Sequence, residues 1–252
     1  MKLQYLLLFL VFSAFISCKE DVPLVFSSES FTEDTFDICK SIGCPDISIN
    51  YLKATGKPSV SGKINSEISA FIIGSLNIGE DSMPKANTIT EAASEFIKTY
   101  RMHSADFPDM AAEYFAEINV SETYRSEEVI SLELRQYLFT GGAHGFGNTS
   151  FLNVNPETGV TIPIEALFSN KEDFTSFCEN KFREKHQIPL DASINSTGFW
   201  FEDDTFYIPN TIGFINESLI LVYNSYEIAS YAEGPVELEI PIVEIGHLLN
   251  VK

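Results

Sequence analysis

The segment Thr140–Ser150, TGGAHGFGNTS, sets four of the chain's fourteen glycines around a single histidine, His144. Glycines at that density beside a titratable ring could cradle a phosphate, hold a catalytic histidine on a strained loop, or turn the chain. The phosphate reading fails on context. Gly145-Phe146-Gly147 supplies GxG, but Ser150 stands where a third glycine belongs. The following residues read as a strand, so no helix N-terminus converges its N–H groups on a diphosphate. As a catalytic group, His144 needs a nucleophile or a carboxylate to set its tautomer. No G-x-S-x-G elbow and no HExxH pair occurs, and His103, His186 and His247 are scattered. Three roles stay open for His144: a structural turn, a ligand contact, or acid–base chemistry with nearby carboxylates.

A second cluster of usable chemistry is Tyr223, Tyr226 and Tyr231, in YNSYEIASYAEGP between two apolar runs. Tyrosines on a loop offer apolar faces with polar tips, which suits stacking on a sugar or contact with a protein. The same rings could instead pack the connection while their hydroxyls satisfy backbone groups. Glu202-Asp203-Asp204 offers oxygens but lacks the alternation and glycine of a calcium loop, so it reads as an exposed acidic turn. No catalytic residue, metal set or cofactor is assigned.

Cys39 and Cys44 enclose the turn-like Lys-Ser-Ile-Gly and read as a local disulfide in an oxidising compartment. Two further ligands for zinc are missing nearby. Cys178 stands at helical spacing from Phe174 and Phe182, which predicts a buried, unreactive thiol.

Periodicity supplies the elements that must position these groups. Ile47–Leu52 alternates as a strand. Ile64, Ile68, Phe71, Ile72 and Leu76 recur at helical spacing over 62–76. Thr88 with Glu91 marks a capped second helix that carries Ala92, Phe96, Ile97 and Tyr100 inward and stops before Phe107-Pro108. Residues 112–121 and 127–139 read as long strands, and 151–154 and 160–164 as two more around a Pro/Gly turn. A third helix covers 171–186. Strands follow at 205–208, 211–215, 219–222 and 236–240, and a short amphipathic segment ends near Leu248. The fold class expected is α+β, as two successive small helix-plus-antiparallel-sheet domains, 37–148 and 149–252. The TGGAHG loop then becomes the link by which a strand leaves one sheet for the other.

The chain of 252 residues is 44% hydrophobic and 13% aromatic, which excludes global disorder and allows a sizeable core. Its 16 basic and 36 acidic residues give a net charge of −20, which argues against a nucleic-acid partner. That charge suits a basic protein ligand. Met1-Lys2 and the apolar run behind it, ending at Ile16-Ser17-Cys18, form a secretory leader too short to be a transmembrane span. Phe15-Ile16-Ser17-Cys18 resembles a bacterial lipobox. The resemblance implies cleavage after residue 17 and a lipid anchor on Cys18, through which the membrane is a partner. Lys19-Glu20-Asp21 resembles the export signal of surface lipoproteins in the Bacteroidota, which implies the outer membrane, on its periplasmic or cell-surface face. Residues 18–36 are polar and acidic and read as a tether.

Leu138–Gly145, Phe151–Gly159, Ile164–Phe168 and YNSYEIASYAEGPVELEIPIVEI together resemble one bacterial extracytoplasmic domain pair. It is the pair of the RsiV anti-sigma factor ectodomain and of the non-catalytic N-terminal region of PdaC-type peptidoglycan deacetylases. The likeness covers roughly residues 37–250. It implies a non-catalytic envelope module that binds a lysozyme-like protein or a glycan, with His144, Tyr223, Tyr226 and Tyr231 as ligand-binding residues. A glycan-acting enzyme and a purely structural lipoprotein are the competing expectations.

Overall fold

The computed structural model describes residues 22–41, 43–78, 83–107 and 112–251. The expected leader, the expected lipidation site Cys18 and the acidic residues just after it lie outside the described residues. Strand β1 (Val25–Thr32) pairs antiparallel with β2 (Asp46–Thr55). Helices α1 (Pro58–Ser75) and α2 (Ile89–Asp106) follow, then β3 (Phe115–Arg125), β4 (Ile130–Phe139) and β5 (Phe146–Val154). These strands form one sheet in the order β1-β2-β3-β4-β5. Only β2 and β3 pair in parallel, and the two helices lie in the connection between them, as a parallel pair requires. The first sheet is therefore mixed, not purely antiparallel as expected.

Both helices start where local chemistry lets them. Pro58 stands in the first turn of α1, where its missing N–H costs nothing. The Thr88 hydroxyl accepts from the Glu91 N–H at 3.1 Å, and Glu91 reaches back to the Asn87 N–H at 2.8 Å. The apolar faces then cover one side of the sheet. Ile64, Ile68, Ile72 and Phe96 are fully buried with Ile47, Ile49, Ile118 and Leu132. Cys39 and Cys44 are joined in a disulfide beside this core.

The second unit holds α3 (Lys171–Lys185), the antiparallel sheet β6 (Ile212–Ile215), β7 (Ser218–Tyr223), β8 (Val236–Pro241), and the one-turn helix α4 (Ile242–Ile245). Asn170 caps α3 by accepting from the Glu172 and Asp173 N–H groups. Its core is aromatic: Phe174, Phe182, Phe201, Phe214 and Tyr223 surround Cys178, and burial pushes that thiol's pKa far up. The expected strands at 160–164 and 205–208 do not form; Thr161 makes a lone bridge to Val154. Pro163 lies within the first stretch and Pro209 directly follows the second, and neither has a ladder donor.

Two corrections bear on the site. Residues 25–32, expected within a tether, are an edge strand of the first sheet. The expected domain boundary at 148/149 falls inside β5, and TGGAHG is the β4–β5 hairpin within one sheet, not a link between sheets. The chain passes to the second unit only after Val154.

The second sheet rests on the face of the first that the helices leave uncovered. Ser131 Oγ donates to Asn153 Oδ1 at 2.8 Å, and Asn153 Nδ2 donates to the Ile212 carbonyl at 2.8 Å. The Phe214 N–H donates to Ser131 Oγ at 3.0 Å, and Thr123 Oγ1 to the Phe214 carbonyl at 2.6 Å. Gly213 lets β6 come this close, since a Cβ there would meet the Phe151 ring at 2.1 Å. Ser131 and Asn153 are both buried. We expect Asn153→Ala to cost about 2–3 kcal/mol, because it orphans a buried hydroxyl and a buried carbonyl. Urea unfolding measures this.

Candidate functional site

On β4 the residues Ser131, Glu133, Arg135, Tyr137 and Phe139 point away from the helices, because side chains alternate along a strand. Their cross-strand partners on β5 are Asn153, Phe151, Thr149 and Gly147, with Phe139 at the open end beside Phe115 of β3. The Ser131 end is roofed by β6. The Arg135–Tyr137 end stays open and becomes the floor of a groove of ≈ 790 Å³. Glu117, Asn119 and Ser121 of β3 extend that floor, and the loop from Asn224 to Pro235 forms its wall.

That loop is fastened to the first sheet at two places. Asn224 mimics a strand: its Oδ1 accepts from the Thr149 N–H at 2.8 Å and its Nδ2 donates to the Thr149 carbonyl at 2.9 Å. Further along, the Tyr231 hydroxyl donates to the Gly145 carbonyl at 3.0 Å. The His144 ring stacks on the Tyr231 ring at 3.8 Å between centroids and 18° between planes. His144 Nδ1 lies 3.0 Å from the Gly145 carbonyl, which can only accept. The proton is thereby assigned to Nδ1, leaving Nε2 to accept from the Tyr226 hydroxyl at 3.4 Å.

The hairpin supports this in its own backbone. Gly141 and Gly142 both have φ +94°, a conformation side-chain-bearing residues rarely adopt. Tyr226 also has positive φ, +71°, and is 57% exposed, so strain is stored at the rim of the groove.

The expected ligand contacts divide. His144, Tyr226 and Tyr231 meet in one aromatic cluster across 80-odd residues of chain. Tyr223 does not join them. Its ring is fully buried in the second core and its hydroxyl donates to the Tyr207 carbonyl, with burial raising its pKa, so the expectation of a ligand contact there is corrected. It ends β7, where the apolar run is buried on both faces. His103 bonds the Tyr114 hydroxyl at 2.7 Å, and His186 packs on Phe182 and Phe199.

Tyr137, Glu133, Arg135 and Asn224 are the groove residues that sequence reasoning passed over. Period-two alternation along β4 does place the first three on one face; what it lacks is the knowledge that this face is open. Burial raises the Glu133 pKa, with Glu237 adding to the effect and Arg135 opposing it. Glu227 is likewise raised by burial, against a bond from the Asn224 N–H. Arg135 is the one cation lining the groove among the described residues. No group of three or more His, Cys, Asp or Glu side chains among the described residues is placed to hold a metal ion. Among the described residues the hydrogen-bond partners of His144 are a carbonyl and a phenol, and an orienting carboxylate is not one of them.

Residues 38–147 match the family described as Deacetylase PdaC, and residues 165–242 match a family described as a protein of unknown function, DUF3298. The two matches stand in tandem, as a PdaC–DUF3298 domain pair. A crystal structure of a DUF3298 family member from Bacteroides fragilis superposes with a TM-score of 0.65 at 21% identity, covering 91% of this chain and 95% of that one. A DUF3298 family protein from Pseudomonas aeruginosa superposes with a TM-score of 0.59 at 18% identity, covering 91% and 94%. These likenesses establish the fold of the pair. No curated protein matches the chain. Within the PdaC–DUF3298 pair, the hairpin and the tyrosine loop are the places where the two domains close the groove.

His144→Ala removes one ring of the stack and is expected to lower stability by about 1 kcal/mol while leaving the fold intact. Thermal unfolding with circular dichroism checks both.

Proposed function

We propose that this PdaC–DUF3298 pair is a non-catalytic lipoprotein of the bacterial cell envelope that binds a glycan in the groove between its two sheets. The observation that carries the reading is the lining. Asn119 offers an amide, Ser121 and Ser225 offer hydroxyls, Glu117 and Glu133 offer carboxylates, and Tyr137 and Tyr231 offer ring surface. Amides and carboxylates pair with neighbouring hydroxyls of a polyol, and aromatic faces take its C–H surface. A phosphate-rich ligand would call for several cations where the groove has Arg135 alone.

A basic protein such as a lysozyme-like hydrolase is the second reading, favoured by the net charge of −20 and by Glu117, Glu133 and Glu233 around the groove. The two readings part on salt. Calorimetry of the acyl-free chain with peptide-free cell-wall glycan strands is expected to give binding that survives high salt and leaves no new reducing ends. Binding only to a basic muramidase, lost as salt rises, would favour the protein ligand. Release of reducing ends abolished by His144→Ala would favour an enzyme.

Anchoring through Cys18 places the groove at the outer membrane, on the periplasmic or cell-surface face, in this account. No helix among the described residues is long and apolar enough to cross a membrane. Cys18→Ser is expected to move the protein from the membrane to the soluble fraction, read by fractionation and immunoblot.

A further inference from the structure

Tyr137 stands where β4 faces Gly147 of β5, and the two glycines of the hairpin shape its seat. A Cβ at Gly147 would meet the Tyr137 ring at 3.2 Å, and one at Gly145 would meet its Cζ at 2.6 Å and its hydroxyl at 2.7 Å. The ring therefore lies down along the β5 backbone in space that any side chain would take. Phe115 of β3 packs beside it, 5.4 Å between centroids and 32° between planes. A ring packed this way on a bare backbone has one side covered. Tyr137 is nonetheless 40% exposed and lines the groove, so its free surface faces the space where a ligand would lie.

The groove also continues. Asn119 and Ser121 belong both to it and to a second hollow of ≈ 610 Å³, whose floor runs on through Asn50 of β2 to Ser28 and Ser30 of β1. Asn119 pairs with Asn50, and Asn50 with Ser30, so this track runs at right angles to the strands. It crosses the sheet from β5 to β1, four interstrand steps of about 4.8 Å each. The row Ser30, Asn50, Asn119, Arg135 and Thr149 carries hydroxyls and amides with one guanidinium among them, Glu117 and Glu133 stand beside it, and Tyr137 is the broad aromatic surface near one end.

We propose that the ligand is a linear glycan chain lying across the strands, with one sugar ring seated on the exposed face of Tyr137. This rests on the glycan reading above. Gly145 and Gly147 are then positioning residues: they hold the platform flat and do not touch sugar. The glycine spacing of the hairpin follows from the platform it carries, in addition to the turn it makes.

Binding of N-acetylglucosamine oligomers and peptide-free cell-wall glycan strands to the full mature chain in detergent, followed by calorimetry, tests this. The hexasaccharide is expected to bind more tightly than the disaccharide, because it fills the track. Tyr137→Ala should weaken binding about tenfold or more, and Tyr137→Phe, which keeps the ring, should retain it. Gly147→Ala should weaken binding with its unfolding temperature close to that of the parent, since the ring and not the fold is displaced. Unchanged affinity in Tyr137→Ala, or equal affinity for short and long oligomers, would overturn the inference while leaving glycan binding intact. If the parent chain binds none of these glycans, the glycan reading fails and the platform with it.

Discussion

The structure depends on how a three-stranded sheet is docked against the polar side of a five-stranded one. A sheet has two faces, and α1 and α2 cover only one of them. The other carries Ser131 and Asn153 at one end, buried polar groups that would destabilise the core if unpaired. They are paired by the backbone of β6, whose Ile212 and Phe214 groups complete the bonds. Side chains on one sheet thus stand in for a missing strand of the other. Phe151 against Gly213 and Tyr124 against Phe214 fill the remaining space. Because these contacts occupy one end of β4 and β5, the other end is left uncovered and polar.

Docking also places the loop after β7. Tyr223 is anchored in the second core, so Asn224 emerges beside Thr149 and can clamp it on both backbone groups. The loop then runs back over the hairpin to Tyr231, stacked on His144. A groove walled by a loop is usually mobile, but this wall is bonded at both ends to the sheet that forms its floor. Such a support holds the polar groups of floor and wall in register.

Helices and buried strands were legible because their periodicity is a direct consequence of burying one side. Ile64, Ile68 and Ile72, and the Thr88–Glu91 cap, stand where the spacing places them. Strand β1 was not legible: as an edge strand with Ser27, Ser28, Glu29 and Ser30 exposed, it lacks an apolar stripe and reads as linker. Tyr223 and Tyr226 are three residues apart yet lie on opposite sides of a core boundary, because the first ends a strand and the second sits in a turn with positive φ. Tyr137 was hidden for a different reason. Alternation puts it outward, but only the pairing with Gly147 shows that its ring lies along the bare β5 backbone. In the TGGAHGFG segment, His144 stacks on Tyr231 and Gly145 and Gly147 leave room for the Tyr137 ring. The histidine fastens a wall and the glycines seat a ring.

A crystal structure of the chain soaked with a chitin-type hexasaccharide tests the central claim most directly. The account predicts sugar density across β3, β4 and β5 beside Asn224–Pro235, with one ring parallel to Tyr137. Ordered sugar elsewhere on the molecule, or a groove still empty at saturating oligosaccharide, would contradict it.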